Sequence, residues 1–362
     1  MPRHDVDRDA YVARISRHRR WVGRCARALK HLGLVRRPIQ QIVYETVFRS
    51  DADVLSYTYA QTNDHLPDLA APVWFNEKIR WLFLNHPNPL MTLVADKIAV
   101  RDYVAYKGAT IAPPRIIATG EAPEELATAK LPPEFALKSS YGSGQNHIEF
   151  GHSRTPRAKL AAKVRDWMGY DQWRRTGEFH YRDVPKRWLV EELLPCGPDQ
   201  VEYKIFCIMG RPEFILVLTE RDDKGYKRMV YDTDWQPVDF HWKVSPPVPE
   251  KPMPRPALLD TMLEDARKLS EDFLQVRVDF LQCGDRTVFS ELTFASAAAR
   301  VPFTPVEANA RLGAMIDLDR APEYLARGMR VAADLGWPPR ASDPAFVWTS
   351  EGPRVTQHLW QT

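Results

Sequence analysis

The sequence predicts an α+β protein of several lobes rather than a purely parallel sheet. Runs rich in β-branched and aromatic residues alternate with helical runs along 362 residues. Several of those strand runs are separated only by a tight turn, as in antiparallel hairpins, and no internal repeat or low-complexity tract appears. The length is too great for one small core and suits two or three lobes.

In chain order, the first 37 residues are strongly basic. Arg14, Arg17, Arg19, Arg20, Arg24, Arg27, Lys30, Arg36 and Arg37 follow Tyr11 with no acidic residue between them. Ile15, Val22, Ala26, Leu29 and Leu32 recur at helical spacing, with Trp21 beside them. Two readings stand: a solvated helix packed on the main body, or a contact with an anionic membrane or polymer. Residues 43–60 read as one helix, and Phe75–Phe83 as an amphipathic helix ended by Pro87 and Pro89. Residues 98–106 form a further helix stopped by Gly108; 116–118 is a strand and 123–129 a helix.

Phe135-Ala136-Leu137-Lys138 is a short strand ending in a lysine, and His147-Ile148-Glu149-Phe150 returns. The loop between, Ser139-Ser140-Tyr141-Gly142-Ser143-Gly144-Gln145-Asn146, is small and polar. It fits a plain flexible hairpin or a loop whose N–H groups meet phosphate, since glycine has no Cβ to block approach. Lys138 tips the reading toward phosphate by delivering a point charge to the loop mouth. The motif GxxxxGK(S/T) is absent, and so is a dinucleotide fingerprint.

After a helix at 158–168, residues 188–194 form an apolar strand carrying Glu191 and Glu192. Residues 202–208 and 213–218 flank a Met209–Pro212 turn as a hairpin, with Lys204 and Phe206 on one face. A strand pair is expected at 227–231 and 237–240, turning at Asp232-Thr233-Asp234. A proline-rich link leads to a helix at 256–273, and helices follow at 307–316 and 322–335.

Between those helices lies a hairpin of Val276-Arg277-Val278-Asp279-Phe280-Leu281 and Val288-Phe289-Ser290-Glu291-Leu292-Thr293-Phe294. Arg277 and Asp279 share one face of the first strand, and Glu291 and Thr293 one face of the second. Charges on core strands are costly unless compensated, and Mg²⁺ with bound phosphate would compensate them. The register decides whether they meet. A three-residue loop pairing Cys283 with Thr287 puts Asp279 opposite Glu291; a two-residue loop at Gly284-Asp285 puts Ser290 there instead.

Composition excludes several classes. A net charge of +3 gives no ground for a nucleic-acid partner, and 44% hydrophobic with 27% charged residues is ordinary for a soluble globular protein. The four cysteines, Cys25, Cys196, Cys207 and Cys283, lie far apart without ligand spacing. They read as reduced thiols in a cytoplasmic setting, not as a zinc site or disulfide framework. No apolar run reaches the roughly 20 residues of a membrane span, and no signal-peptide core is seen. His147, His180 and His241 read as satisfied or exposed histidines, and Trp167, Trp173 and Trp188 as core.

Taken in order, Asp96-Lys97-Ile98-Ala99-Val100-Arg101, Lys138–Gly144, Val190-Glu191-Glu192, Tyr203-Lys204-Ile205-Phe206-Cys207, Tyr231-Asp232-Thr233-Asp234-Trp235, Arg277-Val278-Asp279 and Glu291-Leu292-Thr293-Phe294 resemble an ATP-grasp ligase, and more narrowly the TupA-like (teichuronopeptide biosynthesis) ATP-grasp family. The resemblance covers about residues 76–318. It implies an α+β ATP-grasp fold, two lobes clasping ATP, with an N-terminal helical extension at 1–72. The lobes would run 73–115, 116–190 (the lid with its glycine-rich loop) and 191–318 (the metal site), followed by a helix and tail at 319–362.

The resemblance also implies roles. Lys97 and Lys138 would hold the α- and β-phosphates, and the loop with Ser140, Gly142, Ser143 and Gly144 would close over the β- and γ-phosphates. Glu191 would accept from the adenine amino group, with Glu192 and Leu193 at the hinge. Asp279, Glu291 and Thr293 would hold Mg²⁺, Thr293 standing where many relatives carry Asn. Arg277 would face the transferring phosphate, and Lys204 phosphate or substrate carboxylate. The activity implied is ATP- and Mg²⁺-dependent joining of a carboxylate and an amine through an acyl phosphate, on a cell-envelope polysaccharide or peptide-polymer precursor. The alternatives are a kinase-like phosphotransferase and a non-catalytic nucleotide-binding adaptor. Residues 295–300, Ala-Ser-Ala-Ala-Ala-Arg, replace the Pro/Gly-containing loop expected beside the acceptor.

Overall fold

A computed structural model describes residues 7–34, 38–151, 154–197, 199–222, 225–244, 248–336 and the backbone of a short hairpin at 346–349 and 352–355. Arg36 and Arg37 of the basic run and most of the C-terminal tail lie outside the described residues. Helix α1 (Arg8–His31) is capped by the Asp7 carboxylate, which accepts from the N–H groups of Asp9 and Ala10. It packs on α2 (Ile39–Val47) and α3 (Asp51–Ala60). The apolar stripe expected on α1 is split. Val22 and Ala26 are buried, whereas Leu29 and Leu32 face outward. The helix expected at 43–60 is also two, because Phe48 is extended and Ser50 caps a new start by accepting from Asp53 N–H.

Helix α4 (Phe75–Asn85) follows, then α5 (Pro89–Ala95) and α6 (Val100–Tyr106). Pro89 opens α5 rather than merely ending α4: Asn88 caps it, and a proline in the first turn needs no N–H partner. Strands β1 (Ile116–Gly120), β2 (Glu134–Ser139) and β3 (Asn146–Phe150) lead to α7 (Arg157–Met168), α8 (Gln172–Thr176) and β4 (Trp188–Glu192). These four strands form one antiparallel sheet in the order β1-β4-β2-β3. Trp188, Leu137 and Val190 pack its core against Leu160 and Val164 of α7.

The second large sheet is built from β5 (Val201–Ile208), β6 (Arg211–Asp222), β7 (Gly225–Asp232), β9 (Gln275–Cys283) and β10 (Arg286–Thr293), in the order β10-β9-β5-β6-β7. Between β7 and β9 lie the short β8 (His241–Trp242) and α9 (Leu259–Ser270). The strand pair expected at 227–231 and 237–240 is not formed. β7 pairs with β6, Pro237 makes only an isolated bridge to Tyr231, and β8 pairs with β11 (Phe303–Thr304). Proline cannot donate to a ladder, so a partner strand at 237 was disfavoured. On β9, Val276, Val278 and Phe280 are buried in the core shared with α9, while Arg277, Asp279 and Leu281 alternate to the other face. Helices α10 (Glu307–Ala314) and α11 (Ala321–Asp334) complete the described body.

The β9–β10 register resolves the question the sequence posed, by neither route as stated. The loop is the two-residue one, with Arg286 opposite Cys283. A β-bulge at Ser290 then inserts one extra residue, and Glu291 faces Asp279. Trp173 and Trp188 are core residues and Trp167 packs on the core edge. The thiols are corrected: Cys196 and Cys283 are joined by a disulfide across 87 residues, leaving Cys25 and Cys207 free. The strand end at Cys283 and the turn at Cys196 are brought together by tertiary structure, which sequence spacing cannot show.

Arg80, fully buried on α4, was not singled out by the sequence. It donates to the carbonyls of Leu55, Ala298 and Ala299 and to the Thr58 hydroxyl. Burial pushes its guanidinium down to about 9. The carbonyls at 298 and 299 belong to a segment in which Ala297, Ala298 and Ala299 hold φ of 48°, 56° and 49°. Left-handed alanine costs on the order of 1–2 kcal/mol per residue, so Arg80 clamps a strained loop. Arg80→Met is expected to lower stability by about 3–5 kcal/mol, because three buried carbonyls lose their donor; an unchanged thermal melt would refute the clamp. Thiol titration of the denatured, unreduced chain should find Cys25 and Cys207 alone, whereas four reactive thiols would refute the bridge.

Candidate functional site

The two large sheets present their charged faces to one cleft. Lys138 ends β2, and its Nζ donates to Glu191 Oε2 at 2.6 Å. Arg101 on α6 takes Glu191 Oε1 at 2.6 Å. Both oxygens of Glu191 are thus engaged, so the geometry makes it a holder of Lys138 more than an acceptor for a ring amine. Asp96 is buried against Arg187, and its Oδ1 accepts from Ile98 N–H. That pair fixes the turn carrying Lys97.

Lys97 is the half-buried end of this arrangement. Its Nζ donates to the Gly142 carbonyl at 2.8 Å, and it makes no ion pair among the described residues. Burial pushes its ammonium below the ordinary lysine value, the nearby Lys138 adds to that, and Glu291 across the cleft opposes it. The glycine-rich loop is braced at its base: Ser140 N–H donates to Arg187 O and Ser139 N–H to Gln145 O. Ser140 itself is buried, donating its hydroxyl to Pro185 O and accepting from Arg187 N–H. Its hydroxyl and N–H are thus both engaged in securing the base of the loop. Gly142 and Gly144 hold φ of +70° and +76°, a conformation in which glycine carries no Cβ penalty. The N–H groups of Gly142, Ser143 and Gly144 make no backbone hydrogen bond among the described residues.

Opposite them stands the β9–β10 pair. Arg277 grips Asp279 with two bonds of 2.7 Å and donates to Thr293 Oγ1 at 3.1 Å. Lys204, on the adjacent strand β5, donates to Asp279 Oδ2 at 2.9 Å and pairs with Glu202 at 2.8 Å. Thr293 Oγ1 bonds Glu291 Oε1 at 2.7 Å, whereas Glu291 Oε2 accepts nothing from the described residues. Burial pushes Glu291 up, but Lys204, Lys97 and Arg277 together hold it below the ordinary glutamate value. Lys97 and Glu291 are therefore in electrostatic reach of each other, so the cations and the acids share one site. Tyr181 stands close enough to feel Glu178, Glu291, Arg277 and Asp279; like Arg101 and Arg187, it was missed by the sequence reading. Arg101 closes the Asp96–Arg101 motif but was given no role there, and no motif includes Tyr181 or Arg187, which only packing brings in.

Among the described residues no group of three His, Cys, Asp or Glu could hold a metal ion. Mg²⁺ ordinarily takes one or two carboxylates and completes its shell with water and substrate phosphate. Both Asp279 oxygens already accept from Arg277 and Lys204, whereas Glu291 Oε2 is uncommitted, so Asp279, Glu291 and Thr293 fit such a partial set with Glu291 as its open ligand.

Beside these charges lies a cavity of about 260 Å³, lined by Ala136, Ile148, Leu281 and Val288 on its apolar walls and by Lys138, Glu191, Ser290 and Glu192. Leu193 and Leu194, just past β4, form its rim with Cys196. The Leu193 backbone N–H and carbonyl make no hydrogen bond among the described residues. Glu192 points away to Arg286 and to Arg115 N–H, so its side chain braces the rim.

No curated protein matches the chain significantly. Among solved structures, D-alanine–D-alanine ligase from Helicobacter pylori aligns at 14% identity over 62% of this chain and 61% of its own, with a TM-score of 0.35. The corresponding ligase from Bacillus anthracis, complexed with ATP, aligns at 13% over 67% and 68%, with a TM-score of 0.32. N5-carboxyaminoimidazole synthetase from Staphylococcus aureus aligns at 10% over 56% and 45%, with a TM-score of 0.31. The chain thus spans about three-fifths of the length of the first of these. The family model for TupA-like ATPgrasp matches residues 77–317. That match takes in about two-thirds of the sequence, from α4 through the β9–β10 hairpin to the end of α10, and by it the chain belongs to the TupA-like ATP-grasp family.

Proposed function

We propose that the protein is an ATP- and Mg²⁺-dependent carboxylate–amine ligase acting on a cell-envelope polysaccharide or peptide-polymer precursor. The observation that carries the nucleotide part is Lys97, a half-buried ammonium at the mouth of a glycine-rich loop with no carboxylate partner among the described residues. Such a group calls for an anion, and the free N–H groups of Gly142, Ser143 and Gly144 offer hydrogen bonds to the same anion. Lys138, steadied by Glu191, supplies a second cation. In this reading the purine lies between Ala136, Ile148, Leu281 and Val288, with its edge on the Leu193 backbone. The working parts fall in 73–115, 116–190 and 191–318.

The chemistry follows from what a carboxylate lacks. Oxide is a poor leaving group, so an amine cannot displace it directly. A substrate carboxylate oxygen attacks the γ-phosphorus, the bond to the β-phosphate oxygen breaks, and ADP leaves. An amine then attacks the acyl carbon, losing a proton as inorganic phosphate departs, and the amide forms. Phosphoryl transfer asks the protein mainly for positioning and charge neutralisation. Lys97 and Lys138 hold the triphosphate. Arg277 and Lys204, fixed by Asp279, face the transferring group and the incoming carboxylate. Asp279, Glu291 and Thr293 would hold Mg²⁺, which when bound neutralises charge on the phosphate oxygens. A loop closed over the phosphates would keep water from the acyl phosphate. The assignment to an envelope precursor rests on the family resemblance alone.

Lys138→Ala and Glu291→Ala are each expected to lower ATP turnover at least about a thousandfold with unchanged circular dichroism; normal turnover in either variant sinks the site assignment. With ATP and a substrate carboxylate, hydroxylamine should trap a hydroxamate, since it intercepts an acyl phosphate. ATP consumption that yields only a stable phosphorylated product would point to a phosphotransferase instead.

A further inference from the structure

Helix α1 lies outside the region that the family model matches. Its inner face is settled on the body. Ser16 and Arg19 bond the Tyr57 hydroxyl, Val22 and Ala26 are buried, and Gly23 sits close to Val43. Its outer face carries two parallel strips at helical spacing. Trp21, Cys25, Ala28 and Leu32 recur at intervals of four, three and four, all exposed. Arg17, Arg20, Arg24 and Arg27 recur beside them at intervals of three, four and three, also exposed.

These four arginines make no ion pair among the described residues, and no acid occurs on the helix beyond Asp9. Trp21 is 58% exposed and Leu32 71% exposed, with Leu29 and Leu34 open beside them. A monomer gains nothing from leaving these large apolar groups in water along one line. Charge alone would serve a soluble polyanion. The apolar strip needs an environment it can enter, and tryptophan favours the boundary between headgroup and hydrocarbon. No helix of the described residues is long and apolar enough to cross a membrane, so the contact is superficial.

We infer that the outer face of α1 docks the protein on an anionic lipid surface, with Trp21 and Leu32 entering the interface and Arg17, Arg20, Arg24 and Arg27 pairing with lipid phosphates. The face is remote in sequence from the nucleotide residues, so the inference stands independently of the proposed chemistry.

The test is co-sedimentation of the full chain with vesicles of phosphatidylcholine alone and of phosphatidylcholine mixed with phosphatidylglycerol. The chain is expected to pellet with the mixed vesicles only, and less at high salt. Arg17→Ser/Arg20→Ser/Arg24→Ser should weaken partitioning about a hundredfold, at roughly 1 kcal/mol per basic residue. Trp21→Ala should weaken it about tenfold. These side chains face outward, so thermal melts of the variants should match the parent. Absence of pelleting with mixed vesicles, or pelleting indifferent to the triple substitution, overturns the inference. Binding to soluble dextran sulfate as tight as to vesicles, with Trp21→Ala without effect on either, overturns it in favour of a soluble polyanion.

Discussion

The cleft depends on keeping charge on a strand whose other face is core. Arg277 and Asp279 are two residues apart on β9 and almost fully buried. A buried ion left unpaired costs several kcal/mol, so each must find its partner at once. They find each other through two bonds, and Lys204 from the neighbouring strand adds a third contact to the carboxylate. This local neutralisation leaves Glu291 held through one oxygen only, by Thr293 and, at 3.5 Å, by Arg277. An acid with an uncommitted oxygen, kept ionised by surrounding cations, is suited to receive a cation delivered with a ligand.

The geometry of that acid rests on a single inserted residue. Were β10 regular, the two-residue turn would place Ser290 opposite Asp279. The bulge turns both Ser290 and Glu291 toward the cleft side, and Ser290 contributes to the cavity wall. The loop that follows β10 is shaped from a distance. Arg80, on a helix far away in sequence, holds the carbonyls of Ala298 and Ala299 and so stabilises a left-handed path that alanine resists. The same guanidinium reaches Leu55 and Thr58 on α3, which ties the N-terminal helices to the rim of the cleft.

The opposite wall follows a different logic. Asp96 and Glu191 are both satisfied by cations, Asp96 by Arg187 and Glu191 by Lys138 and Arg101, so Lys138 and Arg187 already hold carboxylate partners before any ligand arrives. Lys97 is the exception. It donates only to a loop carbonyl, and burial lowers its affinity for the proton it carries. A triphosphate would replace that carbonyl with a full negative charge, a stronger partner. The wall is poised because one cation was left with a weak partner. The Cys196–Cys283 bridge then fastens the cavity rim to the end of β9.

Much of this was legible in the residues. Period-two alternation marked β5, β9 and β10, and therefore which side chains share a face, because strand geometry is local. The glycine-rich loop after Lys138 was legible for the same reason. The order of short motifs from Lys97 to Thr293 identified the family, and the family model agrees. What alternation cannot give is register and long-range partners. The bulge at Ser290, the engagement of both Glu191 oxygens, the burial of Ser140, the clamp by Arg80 and the disulfide all join residues far apart in sequence or depend on one residue's slip. Sequence by itself determined the faces, since they follow from the backbone repeat of each element. Tertiary structure alone decided which charges meet and which one is left without a counter-ion, because pairing is set by distances that close only when the sheets pack.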